Sequence, residues 1–470
     1  MPTIFRYVLA GVSGVTAAAA FPTLAWWPLI LIAWPLLFMA LRGAGFRHGR
    51  FLGLVHGLVC YGVGLSWLVN IFHQGALALW LILASFSWLA GALIGSVSLR
   101  HARCSWLPWY AALVWSALEF VRAELFWLAF PWLTNGLGLG PTWLSPWIGV
   151  YGAGFLIVLA AGLVAFGTKA QRLAGAVLTI LLAALGVLRP PPVADAGPPV
   201  PVLAVQSENC DFLTYQEMTA AQGFADGIIL WPEYAAPFDI QDDAPYFAKM
   251  RNLAHERNAT LILGTQRALD GGAHFNEALT LDAGGTLGTH DKNHPVPFMD
   301  DGLPGQQSVP VTTRFGKIGT PICFDCDFAD SVRRMTAAGA EAFAVPSMDA
   351  ARWSAKQHAQ HAEMFRHRAL ENGRWMIVCA TSGLTQLIDP HGTRVGRIPM
   401  FQDGVMATAL HLRSDLTFFT RVGWLCPWLV CVVALTSTLG LFWRPARGAL
   451  GRWLNRVRRR RRGASQRCSP

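Results

Sequence analysis

Gly319-Thr-Pro-Ile-Cys-Phe-Asp-Cys-Asp-Phe328 (GTPICFDCDF) carries two thiols three positions apart, Cys323 and Cys326, at the end of an apolar run, GKIGTPIC (316–323). Six more runs of the same kind surround it, each short, apolar and bounded by turn residues: PVLAVQ (201–206), GIILWPE (227–233), TLILGTQ (260–266), EALTLD (277–282), AEAFAVPS (340–347) and WMIVCATS (375–382). Helical segments at 244–258, 329–338 and 355–373 separate several of them. Continuous apolar strands alternating with helices, mixed with pairs of consecutive strands, predict a layered α/β domain over 200–415 with covered sheets. Glu233 and Cys323 each close an apolar run. In open α/β sheets, sites form where loops converge beyond the carboxyl ends of strands.

Outside this domain the composition changes. The chain has 470 residues, 53% hydrophobic and 14% charged, with a mean hydropathy of +0.36; a soluble protein carries about 25% charge. Residues 1–190 are almost free of Asp, Glu and Lys. Their apolar runs predict spans at about 5–22, 26–42, 51–72, 77–99, 105–127, 146–168 and 172–188, with an eighth at 422–443, each near the ~20 residues that a bilayer requires. A proline-rich linker, 189–201, leads from the seventh span into the α/β domain, because its prolines cannot continue a helix.

Basic residues follow the even-numbered spans: Arg42, Arg47 and Arg50, then Arg100 and Arg103, then Lys169 and Arg172, then the tail 444–470 with Arg458 through Arg462. Lys and Arg in short loops mark the cytoplasmic side. The expectation is therefore a multi-pass protein of the inner membrane with both termini cytoplasmic and the 200–415 domain in the periplasm. The net charge of +10 is read as a membrane anchor on anionic lipid rather than as a nucleic-acid surface.

Within the soluble domain, LWPEYAAPF (230–238), HDKNHPVPF (290–298) and TPICFDCDF (320–328) offer a carboxylate, an ammonium and a thiol. A thiol becomes a strong nucleophile when a base removes its proton, and an ammonium can neutralise a tetrahedral oxyanion. A redox C-x-x-C opens a helix in a thioredoxin-like setting, which is not seen here. A zinc site needs a second ligand pair; His358 and His361 read as part of a helical surface. Cys323 is the candidate nucleophile and Cys326 a bystander, open to disulfide formation outside the cytoplasm. Cys60, Cys104, Cys379, Cys426 and Cys431 read as packing residues.

WPE, DKN and PICFD, in that order, resemble the nitrilase (carbon-nitrogen hydrolase) superfamily. The resemblance implies an α-β-β-α sandwich, with Glu233 as general base, Lys292 as transition-state stabiliser and Cys323 as nucleophile. GLSWLVNIFHQGAL (64–77), LEFVRAELFWLAFPWLTNGLGLG (118–140), SPWIGVYGAGFLIVL (145–159) and QHAEMFRHRALENGR (360–374) are similar to motifs of the bacterial apolipoprotein N-acyltransferase family. That similarity implies a ping-pong reaction without metal or other cofactor. A phospholipid acyl chain passes through a Cys323 thioester to the α-amine of a diacylglyceryl-cysteine lipoprotein. A monomer is expected.

Three departures from the family pattern stand out. Phe324-Asp325 follows the nucleophile where the family has Tyr-Glu. Met299-Asp300 follows V-P-F where it has Gly-Glu, making Asp300 the expected shortened carboxylate. Only 30 residues separate Lys292 from Cys323, and 301–313 is short and polar where the family has an apolar arm. A membrane-anchored amidase, or another amine acceptor, stays open on that ground.

Other expectations are smaller. Trp231, Phe298 and Phe324 are candidates to line an acyl pocket, or to be core. Glu371 is a candidate polar residue near the triad, or a partner of Arg368 or Arg374. Glu119 and Arg122, three apart in span 5, read as an ion pair within the helix or as a lipid headgroup contact, since charges at bilayer depth are usually paired.

Overall fold

The computed structural model describes residues 1–22, 24–193, 199–209 and 211–442. The basic tail at 444–470 lies outside them. The N-terminal region is helical: α1 Thr3–Ala19, α2 Leu29–Leu41, α3 Gly45–Gly64, α4 Leu68–Phe72, α5 Gly75–Arg100, α6 Leu107–Phe120, α7 Asn135–Leu139, α8 Ser145–Phe166 and α9 Lys169–Val187. Helices α5, α8 and α9 are long and apolar enough to cross a membrane, as is Gly423–Phe442 after the sheet domain; α1 and α2 are shorter apolar helices.

The tightest helix pair is α3 with α5, and its sequence explains why. Gly49, Gly53 and Gly57 recur every four residues on one face of α3, opposite Ser87, Gly91 and Gly95. Small residues at this spacing let backbones touch in a bilayer, where apolar side chains gain nothing by leaving lipid. A Cβ on Gly53 would lie 2.0 Å from the Ser87 carbonyl oxygen. Gly53→Leu is therefore expected to lower stability by about 3 kcal/mol, read as a drop in melting temperature of the detergent-solubilised protein. An unchanged melting temperature would show that the helices can separate at no cost.

Two expected spans differ in shape. The run 51–72 is divided, with α3 stopping at Gly64 and α4 starting afresh at Leu68. The run 105–127 leaves α-geometry at a π-turn, Val121–Leu125, the kind of irregularity that re-aims side chains. Arg122 from this turn donates to the Phe130 carbonyl and, at 3.5 Å, to Thr134 Oγ1, while Glu119 accepts from the Asn135 N–H at 2.9 Å. The expected Glu119–Arg122 ion pair is thus not made; both groups find partners in the returning segment 130–135.

The soluble domain consists of two six-stranded sheets. Strands β1 Pro199–Gln206, β2 Ile228–Leu230, β3 Thr260–Ala268, β4 His274–Asp282, β5 Gly285–Asp291, β6 Val311–Thr313, β7 Gly316–Gly319, β8 Ala342–Pro346, β9 Met376–Cys379, β10 Thr385–Ile388, β11 Arg394–Ile398 and β12 Gly404–His411 form sheets of order β12-β1-β2-β3-β4-β5 and β11-β10-β9-β8-β7-β6. The central strands β1-β2-β3 and β7-β8-β9 are parallel, and the outer pairings are antiparallel.

Strand periodicity of two sorts the side chains. Val202, Ala204, Ile228 and Leu230 meet Ile318, Ala342, Ala344 and Ile377 between the sheets. Leu203, Val205, Ile229 and Trp231 face out, under α10 Phe212–Ala220 and α11 Ala244–Glu256. Phe343, Val345, Met376 and Val378 face out on the other side, under α12 Ala329–Ala337 and α13 Ala355–Asn372. The result is an α-β-β-α sandwich. Beyond it, α14 Phe418–Arg421 and α15 Gly423–Phe442 return the chain to the helical region.

The two regions are bolted together mainly by α13 and its neighbours. Gln360 accepts from Trp67 Nε1 at 2.9 Å and donates to the carbonyls of Pro22 and Gly64 at 2.8 and 3.0 Å. Helix α8 is broken at Gly149 (φ 63°), and Glu371 accepts from the freed Val150 N–H at 2.8 Å. A Cβ on Gly149 would strike Phe419 at 2.5 Å. Glu371 also faces Arg368 at 3.2 Å. It caps a broken apolar helix, so its place is at the junction of the two regions.

Candidate active site

Glu233 follows β2, Lys292 follows β5, and Cys323 follows β7 and opens a tight turn, Cys323–Asp327. All three lie at the carboxyl ends of their strands and all are buried. The close approach of β3 beneath Glu233 depends on Gly264, where a Cβ would sit 2.4 Å from Glu233 Cα. Lys292 Nζ donates to Glu233 Oε1 at 2.7 Å and to Asp301 Oδ2 at 2.7 Å. Asn276 Nδ2 bridges the same two carboxylates, at 2.7 Å each. Tyr234 adds a bond to Asp301 at 3.0 Å.

The second carboxylate on the lysine is therefore Asp301 and not Asp300, which is exposed. The Val296 N–H, donating to Asp301 Oδ2 at 2.7 Å, closes a short loop that delivers the later aspartate. Sequence position alone selected the neighbour, because two adjacent aspartates differ only in which way the turn directs them.

Cys323 has φ 46°, a conformation that costs a non-glycine residue energy and persists only when its surroundings enforce it. Asp325 supplies that constraint. Its carboxylate accepts from the Ile322 N–H at 3.1 Å, from the His294 N–H at 2.8 Å and lies 3.0 Å from His290 Nε2. One side chain thus laces the cysteine turn to both sides of the lysine loop. Burial opposes the charged form of Asp325, but these partners win and its pKa is lowered.

The electrostatics define a resting state. Burial, then the Glu233 charge, raises the Cys323 pKa well above the usual thiol value despite Lys292. Glu233 is also raised, by burial first, with Asp301 adding to it. Burial works against the Lys292 ammonium, but Asp301 and Glu233 outweigh it and raise its pKa well above the usual lysine value. A neutral thiol beside a carboxylate of raised basicity requires a proton transfer before attack. Glu233 Oε2 has no hydrogen-bond partner among the described residues, so that oxygen is available to receive a proton.

The thiol opens into a cavity of about 100 Å³ with almost wholly apolar walls. Trp67, Ile71, Phe72, Leu79, Leu83 and Phe130 come from the helical region, and Pro297, Phe298, Met299 and Phe324 from the sheet domain. Phe298, at φ 67° and 66% exposed, stands edge-on to Phe72 across the mouth. Trp231 does not reach this cavity. It stacks on Tyr215 and meets Phe212 edge-on on the outer face, and it donates to Thr219 Oγ1 at 3.0 Å. It lies only two residues before Glu233, but β2 ends at Leu230, so the alternation of strand faces does not carry from one to the other. The segment 301–310 lies on the sheet edge, with the Leu303 N–H on the His274 carbonyl and the Gly305 N–H on the Lys292 carbonyl, both at 2.8 Å. The apolar roof is supplied instead by residues 296–299.

Cys326 is fully buried in the core under α12 and α13 and is not bonded to Cys323. His358 and His361 are buried too, contrary to a helical surface: α13 is packed between the sheet and the helical region, so it has little solvent face. His361 Nδ1 lies 2.8 Å from Asp349 and Nε2 3.4 Å from Asp327. Asp327 in turn accepts from Trp132 Nε1 in the helical region. His361 and Trp132 both line the cavity.

This buried pairing gives a pH prediction. Burial disfavours the His361 imidazolium, but Asp349 and Asp327 outweigh it and push its pKa up to about 9, above the ~6.5 of an unfolded histidine. Its contribution is fully present below pH ~6.5 and is lost as pH rises through about 9, amounting to about 3 kcal/mol. Unfolding midpoints of wild type are expected to fall across that window more steeply than those of His361→Asn. Parallel curves would refute the ion pair.

The sequence profile of carbon-nitrogen hydrolases matches residues 183–414, and that of the apolipoprotein N-acyltransferase N-terminal domain matches residues 13–163. The apolipoprotein N-acyltransferase of Pseudomonas aeruginosa (strain UCBPP-PA14) is 30% identical, with 93% of this chain and 96% of that one aligned. That of Geobacter metallireducens is 28% identical, with 93% and 95% aligned. Among solved structures, an amidase from Nesterenkonia sp. is 18% identical, with a TM-score of 0.40, spanning 50% of this chain and 98% of that one. Matched in both halves, and aligned along almost the full length of its relatives, this chain belongs to the apolipoprotein N-acyltransferase family.

Proposed function

We propose that the chain is a membrane N-acyltransferase that moves a fatty acyl group from a phospholipid, through a thioester on Cys323, to the amino-terminal amine of a diacylglyceryl-cysteine lipoprotein. The observation that carries this reading is the apolar cavity. Its floor holds the buried thiol, and its walls come from both the membrane helices and the catalytic domain. A hydrolase for a small polar amide has no use for such walls, whereas an acyl chain sliding from the bilayer does.

Glu233 takes the Sγ proton as sulfur attacks the ester carbonyl. Lys292 neutralises the oxyanion. As the carbonyl re-forms, the ester C–O bond breaks and the departing lysophospholipid alkoxide takes the proton back from Glu233. The free amine then attacks the thioester carbonyl, passing a proton to Glu233. Collapse breaks the C–S bond, and the thiolate recovers that proton. Atoms balance without metal, nucleotide or water. The arrangement of Lys and Arg supports seven spans ahead of the catalytic domain, which then faces the periplasm with both termini cytoplasmic.

The test is turnover in liposomes containing an isotope-labelled phosphatidylethanolamine and a diacylglyceryl-cysteine peptide. The reading expects a labelled amide on the peptide together with lysophospholipid, in equal amounts. Free fatty acid released at the same rate with and without peptide would replace it with a hydrolase.

A further inference from the structure

A second cavity, of about 220 Å³, lies between the helical region and α13 and, among the described residues, shares only Trp132 with the wall of the first. Phe21, Trp27, Leu133, Leu137 and Met364 make its apolar side, while Arg189, Glu363 and Arg366 stand on its polar side. The charges here do not cancel. Glu363 is spoken for on both oxygens, by Arg366 at 2.7 Å and by Arg394 at 3.0 Å. Arg189 has no carboxylate partner among the described residues. Its side chain donates to the Pro141 carbonyl at 2.6 Å and lies over the Trp27 ring, 5.9 Å from the centroid. Three guanidiniums thus face one carboxylate where the membrane helices meet the soluble domain.

We infer that this cavity is a phospholipid site separate from the acyl-transfer chamber, with the lipid phosphate held by Arg189 and Arg366 and an acyl chain against Phe21, Trp27, Leu133 and Leu137. A guanidinium offers a planar fork of donors that matches phosphate oxygens. Arg189 spends one of its donors on the protein and keeps the rest for a ligand. Burial, then the charge of Arg366, lowers the Arg189 pKa, a repulsion that a bound anion would relieve. The apolar wall is continuous with the helix ends, so the ligand that satisfies both halves is a lipid rather than a free ion. Cys323 does not border the cavity, and the inference does not depend on the chemistry assigned to it.

The experiment is native mass spectrometry of the full chain carrying Cys323→Ala, in neutral detergent, titrated with dipalmitoyl phosphatidylglycerol, with dipalmitoylglycerol and with inorganic phosphate. The expected result is that Arg189→Gln weakens phosphatidylglycerol binding about tenfold without changing dipalmitoylglycerol binding, while Arg189→Lys retains most of it. Glu363→Gln is expected to do the opposite and tighten phosphatidylglycerol binding, since it removes the carboxylate that neutralises Arg366 and Arg394. A misfolded variant could not produce that reversal. Unchanged phosphatidylglycerol affinity in Arg189→Gln would overturn the site. Displacement of the lipid by an equal concentration of inorganic phosphate would overturn its assignment to a lipid.

Discussion

Cys323→Ala is expected to reduce acyl transfer by at least about 10⁴-fold and to remove a fatty-acyl mass, labile to hydroxylamine, that wild type carries after extraction from its membrane. Cys326→Ala is expected to keep both. The two thiols stand three residues apart in one turn, yet their surroundings differ completely. Cys323 borders the apolar cavity and interacts electrostatically with Glu233 and Lys292. Cys326 points into the core between Val332, Met335 and Phe365, and burial raises its pKa well above the usual thiol value. It is fully buried and does not border the cavity. Removing its sulfur costs some packing and no chemistry. Intact-mass spectrometry reads the adduct directly, without requiring that the amine acceptor be known. An adduct that survives Cys323→Ala would move the nucleophile elsewhere, and its loss in Cys326→Ala would mean that the turn had been misread.

Where the sequence spoke clearly, it did so through periodicity and strand ends. The seven apolar runs all became strands, and the helices at 244–258, 329–338 and 355–373 formed within two residues of their expected bounds. Strands β5, β6, β10, β11 and β12 were not among those runs: edge strands such as Gly285–Asp291 and Arg394–Ile398 are half exposed and carry polar residues, and β10 is a buried strand of only four residues that opens on Thr385 and Gln386. Glu233 and Cys323 stood out because each closes an apolar run, and Lys292 only through the order of the WPE, DKN and PICFD motifs. What joins them was not legible. Asn276 lies mid-sequence in a strand and declares nothing until β4 places it beside two carboxylates. His361 looked like surface because one helix in isolation has no inside or outside; the helical region supplies its second cover. The role of Glu371 depends on a break in α8, more than 200 residues earlier, that only the packed structure reveals. Long-range partners of this kind leave no local pattern to read.

The second large effect is expected at Asp301. Asp301→Asn should cut kcat by about 10²- to 10³-fold, the usual scale for loss of a preorganised electrostatic partner, whereas Asp300→Asn should stay within about twofold of wild type. The ammonium of Lys292 is balanced between two carboxylates, each at 2.7 Å. With Asp301 neutral, Lys292 is held by Glu233 alone, and the ion pair ties up the carboxylate that accepts the thiol proton in the proposed reaction. The same change removes a charge that helps to raise the Glu233 pKa, so Glu233 becomes a weaker base. Both consequences act on the step in which sulfur is deprotonated. The loss should therefore appear in the rate of acyl-enzyme formation, measured by rapid quench and intact mass, more than in the apparent affinity for phospholipid. The pH at which that rate reaches half its maximum should shift downward, following the lower Glu233 pKa. Asp300 projects into solvent and has no part in this network. If Asp300→Asn were the damaging substitution and Asp301→Asn the silent one, the loop after Lys292 would be out of register by one residue, and the hydrogen bonds placing Asp301 against the lysine could not be those of the working enzyme.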